Sequence, residues 1–391
     1  MLLALLTALG PLSIDMYLPA LPQMAQHYQV STQMMANSLP AYFLGLAVGQ
    51  LIYGPISDQI GRKKPLYFGM GLFAFSSLLC VFASDAGWLI AIRILQALGG
   101  CVGVVMARAA IRDRLDVQGS AQAFSSMMIV MGIAPIVAPI LGAWILNFFN
   151  WQAIFIALVL IGLLCLFCVH FFFQETLAPE RRLSLSTKQV FLLYMSILKD
   201  PSFVFPMLAG CLTGGALFSY ISSASAVFMD VYQLDQQQFA YAFAFNAFGI
   251  ILLSSLNKRL AGRLSVYRRL QIGGLIQFSG AVLIALCALI SDVALTWIML
   301  GLFMTVAGIG FTGPNAMALA MSKQGARAGT ASALMGSAQF SCGLLGGIAL
   351  YFMPWGALQN MGLLMLLFTG SGCWAIMIVS KRSLISTSTS A

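Results

Sequence analysis

Asp15 and Arg93 are the two charged side chains of this sequence that fall deep inside long apolar runs. An ionised group at the centre of a bilayer costs at least about 2.5–3.5 kcal/mol, so it persists where it has a partner or a task. Asp15 precedes Pro22, the outer end of its run, by seven residues, about 10 Å along a helix. Arg93 follows Gly87, the outer end of an oppositely directed run, by six residues, about 9 Å. Equal depth would let the two meet or share a water. A carboxyl so placed is pulled two ways, because desolvation disfavours its charge and a nearby guanidinium favours it. A balance that changes as water reaches the group from one side or the other is what coupling to protons requires. A fixed structural ion pair is the alternative use of Asp15.

Such a pair needs a membrane around it. Of the 391 residues, 60% are hydrophobic and 8% charged, whereas soluble chains carry about 25% charged residues. The mean hydropathy is +0.92. These values exclude a soluble domain and a disordered chain. Eight cysteines in 391 residues exclude a disulfide scaffold. All eight lie in apolar runs, where they read as packing residues.

Twelve runs are long enough to span a bilayer: about 1–22, 37–57, 66–83, 87–108, 120–146, 152–173, 202–229, 238–256, 270–290, 294–320, 329–352 and 357–380. They are continuous rather than alternating, which favours helices over barrel strands. Alternate connections then sort the charges. One set holds 19 of the 20 basic residues, and the other holds only Asp85, Asp230, Asp235 and Asp292. The positive-inside rule assigns both termini to the cytoplasm. The net charge of +9 is therefore a topology signal with a minor role at anionic lipid heads, and no nucleic-acid partner is expected. The first run has no basic lead-in, carries Asp15 and three prolines, and is followed by nothing soluble. A cleaved signal peptide is not expected there, and the missing short tail suggests a truncated start.

Residues 174–200 hold 7 of the 31 charges. The expected organisation is an all-α polytopic membrane protein of twelve transmembrane helices. Residues 1–173 and 202–391 form two six-helix bundles joined by a cytoplasmic linker over 174–201, as in duplicated transporters. A faint repeat supports this: Asp58-Gln59-Ile60-Gly61-Arg62-Lys63 is echoed about 200 residues later by Lys258-Arg259-Leu260-Ala261-Gly262-Arg263.

The most specific motif is Gly54-Pro55-Ile56-Ser57-Asp58-Gln59-Ile60-Gly61-Arg62-Lys63. Gly54 would allow close helix contact and Gly61 a turn, while Asp58 would accept from helix amides or from arginine. A generic basic turn explains the cations but not the Gly, Asp, Gly spacing. The motif resembles the loop signature of the major facilitator superfamily, with Gln59 departing from its usual basic residue. Arg93-Ile94-Leu95-Gln96-Ala97-Leu98-Gly99 is similar to that superfamily's second signature, with Ala97 in place of a glycine. The run from Ala134 through Pro135 and Pro139 to Gly142 resembles its antiporter signature, although alanines replace several glycines. Small residues with two prolines still make a bent, closely packed helix.

Leu12-Ser13-Ile14-Asp15-Met16-Tyr17-Leu18-Pro19, with Glu175-Thr176-Leu177 closing the sixth run, resembles the bicyclomycin-resistance (Bcr/CflA) branch of the drug:proton antiporters. After the linker the likeness is weaker, resting on Phe218-Ser219-Tyr220-Ile221-Ser222 and Ala244-Phe245-Asn246. The resemblance implies a twelve-helix fold, proton-driven efflux and an inner-membrane location, with the first and fourth helices against a central cavity.

Polar and aromatic residues within the spans mark a substrate surface for amphipathic compounds: Tyr17, Tyr42 and Gln96, then Tyr220, Phe245, Asn246 and Asn315. Interhelical hydrogen bonding or lipid-facing packing is the alternative use of each. Gly308-Ile309-Gly310-Phe311-Thr312-Gly313 matches a dinucleotide fingerprint but lies inside a span. Cys165 and Cys168 have redox spacing without polar company, and His27 and His170 lack co-ligands, so no metal or cofactor is expected. No phosphate-binding loop occurs, which excludes ATP as internal energy source.

The reading that unites these features is proton-coupled export of small amphipathic compounds, drugs among them, by a monomer working through alternating access. A specific metabolite such as an amino acid is the rival cargo. An intramembrane enzyme or receptor would need a catalytic cluster or a sizeable extramembrane domain, and a channel would not need a protonatable group.

Overall fold

Proline decides where the first span breaks. Pro19 has no amide to donate, and its ring opposes the helical carbonyl four residues earlier, that of Asp15. In the structure, a computed structural model, α1 (Leu2–Asp15) ends at that carbonyl, a 3-10 turn covers Leu18–Ala20, and α2 (Leu21–His27) completes the span. The structure describes residues 2–114, 117–182, 186–290, 292–324 and 327–388.

The chain continues through α3 (Thr32–Ala36), α4 (Ser38–Ile60), α5 (Lys63–Val81), α6 (Ala86–Arg114), α7 (Val117–Phe148) and α8 (Gln152–Phe172). After the linker helix α9 (Thr187–Leu198) come α10 (Pro201–Ser225), α11 (Gln236–Leu260), α12 (Val266–Cys287), α13 (Leu295–Ala307), α14 (Ile309–Met321), α15 (Ala328–Phe352) and α16 (Ala357–Ser388). Among the described residues there is no strand, and twelve helical segments have the length and composition to cross a membrane. The chain is a multi-pass, all-α membrane protein, as the hydropathy indicates. Four spans are not single α-helices: spans 1, 2 and 10 join two helices, and span 7 ends in a π-helix over Ala226–Val231.

Span 10 breaks at Gly308, where Gln277 of α12 serves both sides. Its Nε2 donates to the carbonyls of Thr305 (3.1 Å) and Thr213 (3.2 Å), and its Oε1 accepts from Thr312 Oγ1 (2.8 Å). The Gly308–Gly313 run that mimics a nucleotide loop thus lies at a helix break, with no strand before it.

Two compact units divide the chain: Met1–Leu192 with Leu234–Ala244, and Leu193–Gln233 with Phe245–Ala391. In the first, α1 packs on α6, α7 and α8, while α6 packs on α4 and α5. In the second, α10 packs on α14, α15 and α16, and α12 packs on α13, α14 and α16. The main division falls inside α9, an element that hydropathy alone leaves as linker.

Candidate functional site

Asp15 is 3% exposed at the C-terminal end of α1, and its Oδ1 has no hydrogen-bond partner. Arg93 of α6 is fully buried. The two are not an ion pair. Arg93 Nη2 donates instead to the carbonyl of Ser13 at 2.9 Å, satisfying an oxygen that the break at Met16 leaves without its helical amide. Its Nη1 donates to Gln96 Oε1; Gln96 Nε2 donates to Ser77 Oγ (2.7 Å), which donates to the Phe73 carbonyl (2.7 Å).

The guanidinium carbon lies 4.4 Å from the ring centre of Tyr17 and 4.1 Å from that of Tyr42. A delocalised cation between two aromatic faces is favourably held where water is excluded. The Tyr17 hydroxyl donates to Ser38 Oγ at 3.0 Å, because the Ser38 hydrogen is committed to the Met35 carbonyl. Ser13 Oγ lies beside the Tyr42 hydroxyl, and neither makes a well-formed hydrogen bond. This region therefore keeps one carboxyl oxygen, two hydroxyls and the Arg93 Nε unsatisfied, in a setting where a buried orphan polar atom costs about 1–3 kcal/mol.

Helix α7 lies against this break. Pro135 and Pro139 stand inside it, and Gly142 faces the Met16 carbonyl so closely that an added Cβ would sit 1.8 Å from that oxygen. Small residues there let α7 reach main chain.

The second unit holds a smaller polar group. Asn246 Nδ2 donates to the Tyr220 hydroxyl (3.1 Å), Asn246 Oδ1 has no partner, and both residues are buried. Phe245 and Asn315 are not part of it. Phe245 is 52% exposed and packs on Phe303, with ring centres 4.9 Å apart. Asn315 Nδ2 donates to Asn257 Oδ1 (3.0 Å), which also accepts from Arg269 Nη1 (3.0 Å), so Asn315 braces the base of that unit.

The Gly54–Lys63 motif builds a charged rim. Arg62 donates to Asp58, to Ser57 Oγ and to Asp113 Oδ2 (2.9 Å), and Thr176 Oγ1 also donates to Asp113 (2.9 Å). Burial opposes the charge on Arg62, but the bond to Asp113 and the charge of Asp58 outweigh it. Glu175 closes the rim by capping α5: its carboxylate accepts the amides of Arg62 (2.9 Å), Lys63 (3.1 Å), Thr176 (2.9 Å) and Leu177 (3.0 Å). Partial burial works against the Glu175 charge, yet these four amides hold the carboxyl below its ordinary range. Lys63 Nζ donates to the His170 carbonyl (3.3 Å).

Gly61 adopts φ +92°, the left-handed region, and a Cβ there would also strike Glu175. Gly54 departs from expectation, because an added Cβ would meet no atom within 4 Å. The close helix contact read there is not made; its carbonyl instead accepts from Ser57 Oγ (2.8 Å). Sequence reasoning also missed Asp113, Ser77 and Ser38. Each sits next to another polar residue in or beside an apolar run (Arg112 and Arg114, Ser76, and Asn37 respectively), and the sequence carries no signal that singles it out.

Comparison with known proteins gives a consistent pattern. Residues 3–347 match the Major Facilitator Superfamily. The uncharacterized MFS-type transporter YdgK of Bacillus subtilis (strain 168) is 37% identical, over 86% of this chain and 84% of its own. The bicyclomycin resistance protein homolog of Haemophilus influenzae is 31% identical over 98% and 95%. The crystal structure of the D-xylose-proton symporter superposes with a TM-score of 0.74 at 15% identity, covering 97% of this chain and 95% of that one, a likeness of fold alone.

Proposed function

The chain belongs to the Major Facilitator Superfamily, and from that premise we propose that it exports small amphipathic compounds, drugs among them, in exchange for protons. It is a transporter and not an enzyme. The observation that carries the proposal is Asp15: a buried carboxyl at a broken span, one oxygen unpartnered, two residues from the carbonyl to which Arg93 donates. Such a carboxyl can take a proton when water reaches it from one side and give it up on the other without breaking an ion pair. The 31% identity to a bicyclomycin resistance protein homolog along nearly the whole chain supports a drug-like cargo over a single metabolite.

In this reading residues 1–173 and 202–391 are two bundles that rock about a substrate path. Both termini and the 174–201 linker lie in the cytoplasm, the membrane is the bacterial inner membrane, and the working unit is a monomer. Tyr17, Tyr42 and Gln96 in the first unit are substrate contacts, and so are Tyr220 and Asn246 in the second. Asp15 and Arg93 carry coupling, α7 with Pro135, Pro139 and Gly142 holds the span-1 break, and Gly61, Arg62, Lys63 and Asp58 form the conformational latch. Asn315 and Phe245 take bracing and packing roles, following their contacts.

The test is proton flux in liposomes carrying the purified chain. Adding an exported compound should drive protons across the membrane against a panel of neutral and cationic amphiphiles. A panel that moves no proton, or an amino acid that alone does so, overturns the proposal.

A further inference from the structure

We propose that α9 (Thr187–Leu198) is a membrane-surface helix that docks on anionic phospholipid. The inference rests on the antiporter reading only for the leaflet concerned, the cytoplasmic one. The helix starts from a reciprocal cap: Ser186 N donates to Gln189 Oε1 (2.8 Å) and Gln189 N to Ser186 Oγ (3.3 Å). Twelve residues then give about 18 Å of helix.

Its sides differ in chemistry. Tyr194 and Ile197 are buried against the protein, with Val190 and Leu193 half-buried beside them. Phe191 (58% exposed), Leu192 (55%) and Leu198 (37%) form an apolar face with Met195, although they belong to no span. Lys188, Leu192, Met195 and Lys199 follow one another at intervals of four, three and four residues, so both exposed lysines stand at the two ends of that face. Gln189 and Ser196, seven residues apart, form a third, polar side. Protein, apolar phase and water thus each have a side of the helix.

The connection to α10 fixes its level. Only Lys199 and Asp200 separate Leu198 from Pro201, where span 7 begins. Asp200 caps α10 by accepting from Ser202 N (2.9 Å), so the joint is tight. An apolar face two residues from a membrane span meets the bilayer boundary, where lysine stems lie along the apolar layer and their ammonium groups reach the head groups. Lys188 and Lys199 are the charges at the ends of the face, which selects anionic lipid. The helix is also tied inward: Arg327 Nη1 donates to Ser196 Oγ (3.3 Å), and Gln324 Nε2 to Asp200 Oδ2 (3.0 Å). Docked lipid would therefore stabilise the turn that leads into α15.

Spin labels at F191C, L192C and Q189C, in a chain otherwise free of cysteine, test this in nanodiscs. Labels at 191 and 192 should collide with oxygen and be shielded from a water-soluble nickel chelate, and the label at 189 should show the reverse. Shielding should increase when phosphatidylglycerol is added to phosphatidylcholine, and K188Q/K199Q should shift that response to higher phosphatidylglycerol fractions. Equal nickel access at all three positions overturns the docking. Shielding that ignores phosphatidylglycerol overturns the anionic class. Hydrogen exchange of the unmodified chain gives an independent reading, because amides 187–198 should slow with phosphatidylglycerol, and no change there overturns the proposal. Neither measurement needs transport or sidedness, so the antiport reading and this one fail separately.

Discussion

Arg93 donates to the main-chain oxygen of Ser13, two residues before Asp15, at 2.9 Å. The guanidinium is spent on the carbonyl end of a half-helix, where a cation is favoured by the aligned peptide dipoles. Asp15 is left buried without an ion-pair partner, so changes in its charge need not dismantle the arginine's contacts.

Asp15→Asn should therefore yield a well-folded protein, with thermal stability near that of the unmodified chain. A fixed ion pair would instead predict a loss of roughly 3–5 kcal/mol. Compound-driven proton release should vanish, while binding of a neutral compound persists with little pH dependence. Export against a pH gradient by this variant would remove Asp15 from the coupling role.

The tyrosine sandwich makes a graded prediction. Tyr42→Phe keeps the ring and removes a hydroxyl without a well-formed bond, so stability should change by less than about 0.5 kcal/mol. Tyr42→Leu removes the aromatic face 4.1 Å from Arg93 and should cost roughly 1–2 kcal/mol. Arg93→Lys should lose both stacking and the branched donors. Chemical denaturation of the three purified variants gives the order directly.

At the rim, Arg62 and Asp113 should show a coupling of about 1–2 kcal/mol in a double-mutant cycle, since Arg62 is largely buried where they meet. Asp58→Asn should slow the transport cycle more than it weakens substrate binding. Wild-type turnover for Asp58→Asn would reduce the motif to a basic turn.

Glu175 makes the rim acid-sensitive. Its carboxyl is held below the ordinary glutamate value of 4.5 in the folded chain. A group depressed on folding contributes stability above its unfolded value and loses it as pH falls through the folded one. Glu175→Gln should thus be less stable than the unmodified chain at neutral pH, and the gap should close in acid below about pH 4.5. A gap constant from pH 7 to pH 3 would refute the capping account.

Sidedness is open to thiol chemistry. In an otherwise cysteine-free chain, positions near Asp85 and Asp292 should react with an impermeant reagent in intact cells. Positions near Lys188 and Arg327 should stay unlabelled until the membrane is opened, and the inverse pattern would reverse the topology.

Hydropathy made the twelve spans legible because burial in lipid acts on every residue of a run. Pro19 accounts for the end of α1, a break that hydropathy does not register, since its ring opposes the carbonyl of Asp15. Matching depth brought Asp15 and Arg93 into one region, but depth cannot tell whether a guanidinium meets a carboxylate or a carbonyl. That choice depends on the helix break exposing the Ser13 oxygen, a three-dimensional fact. The contacts of Asp113 and of Glu175, the latter singled out only as part of a motif, were hidden for a similar reason: they reach Arg62 from 51 and 113 residues away. Phe245, expected on the substrate surface, packs on Phe303 while its neighbour Asn246 meets Tyr220, because adjacent residues on a helix point about 100° apart.

Gly142 has a meaning for how this sequence can drift. Of the described glycines it makes the closest approach, 1.8 Å between its would-be Cβ and the Met16 oxygen. Main chain cannot rotate away as a side chain can, so even alanine should cost on the order of 3 kcal/mol or more. The least replaceable position near the span-1 break is then an uncharged residue with no chemistry of its own. A saturation library selected for resistance would be expected to tolerate variation at Tyr42 before it tolerated any at Gly142.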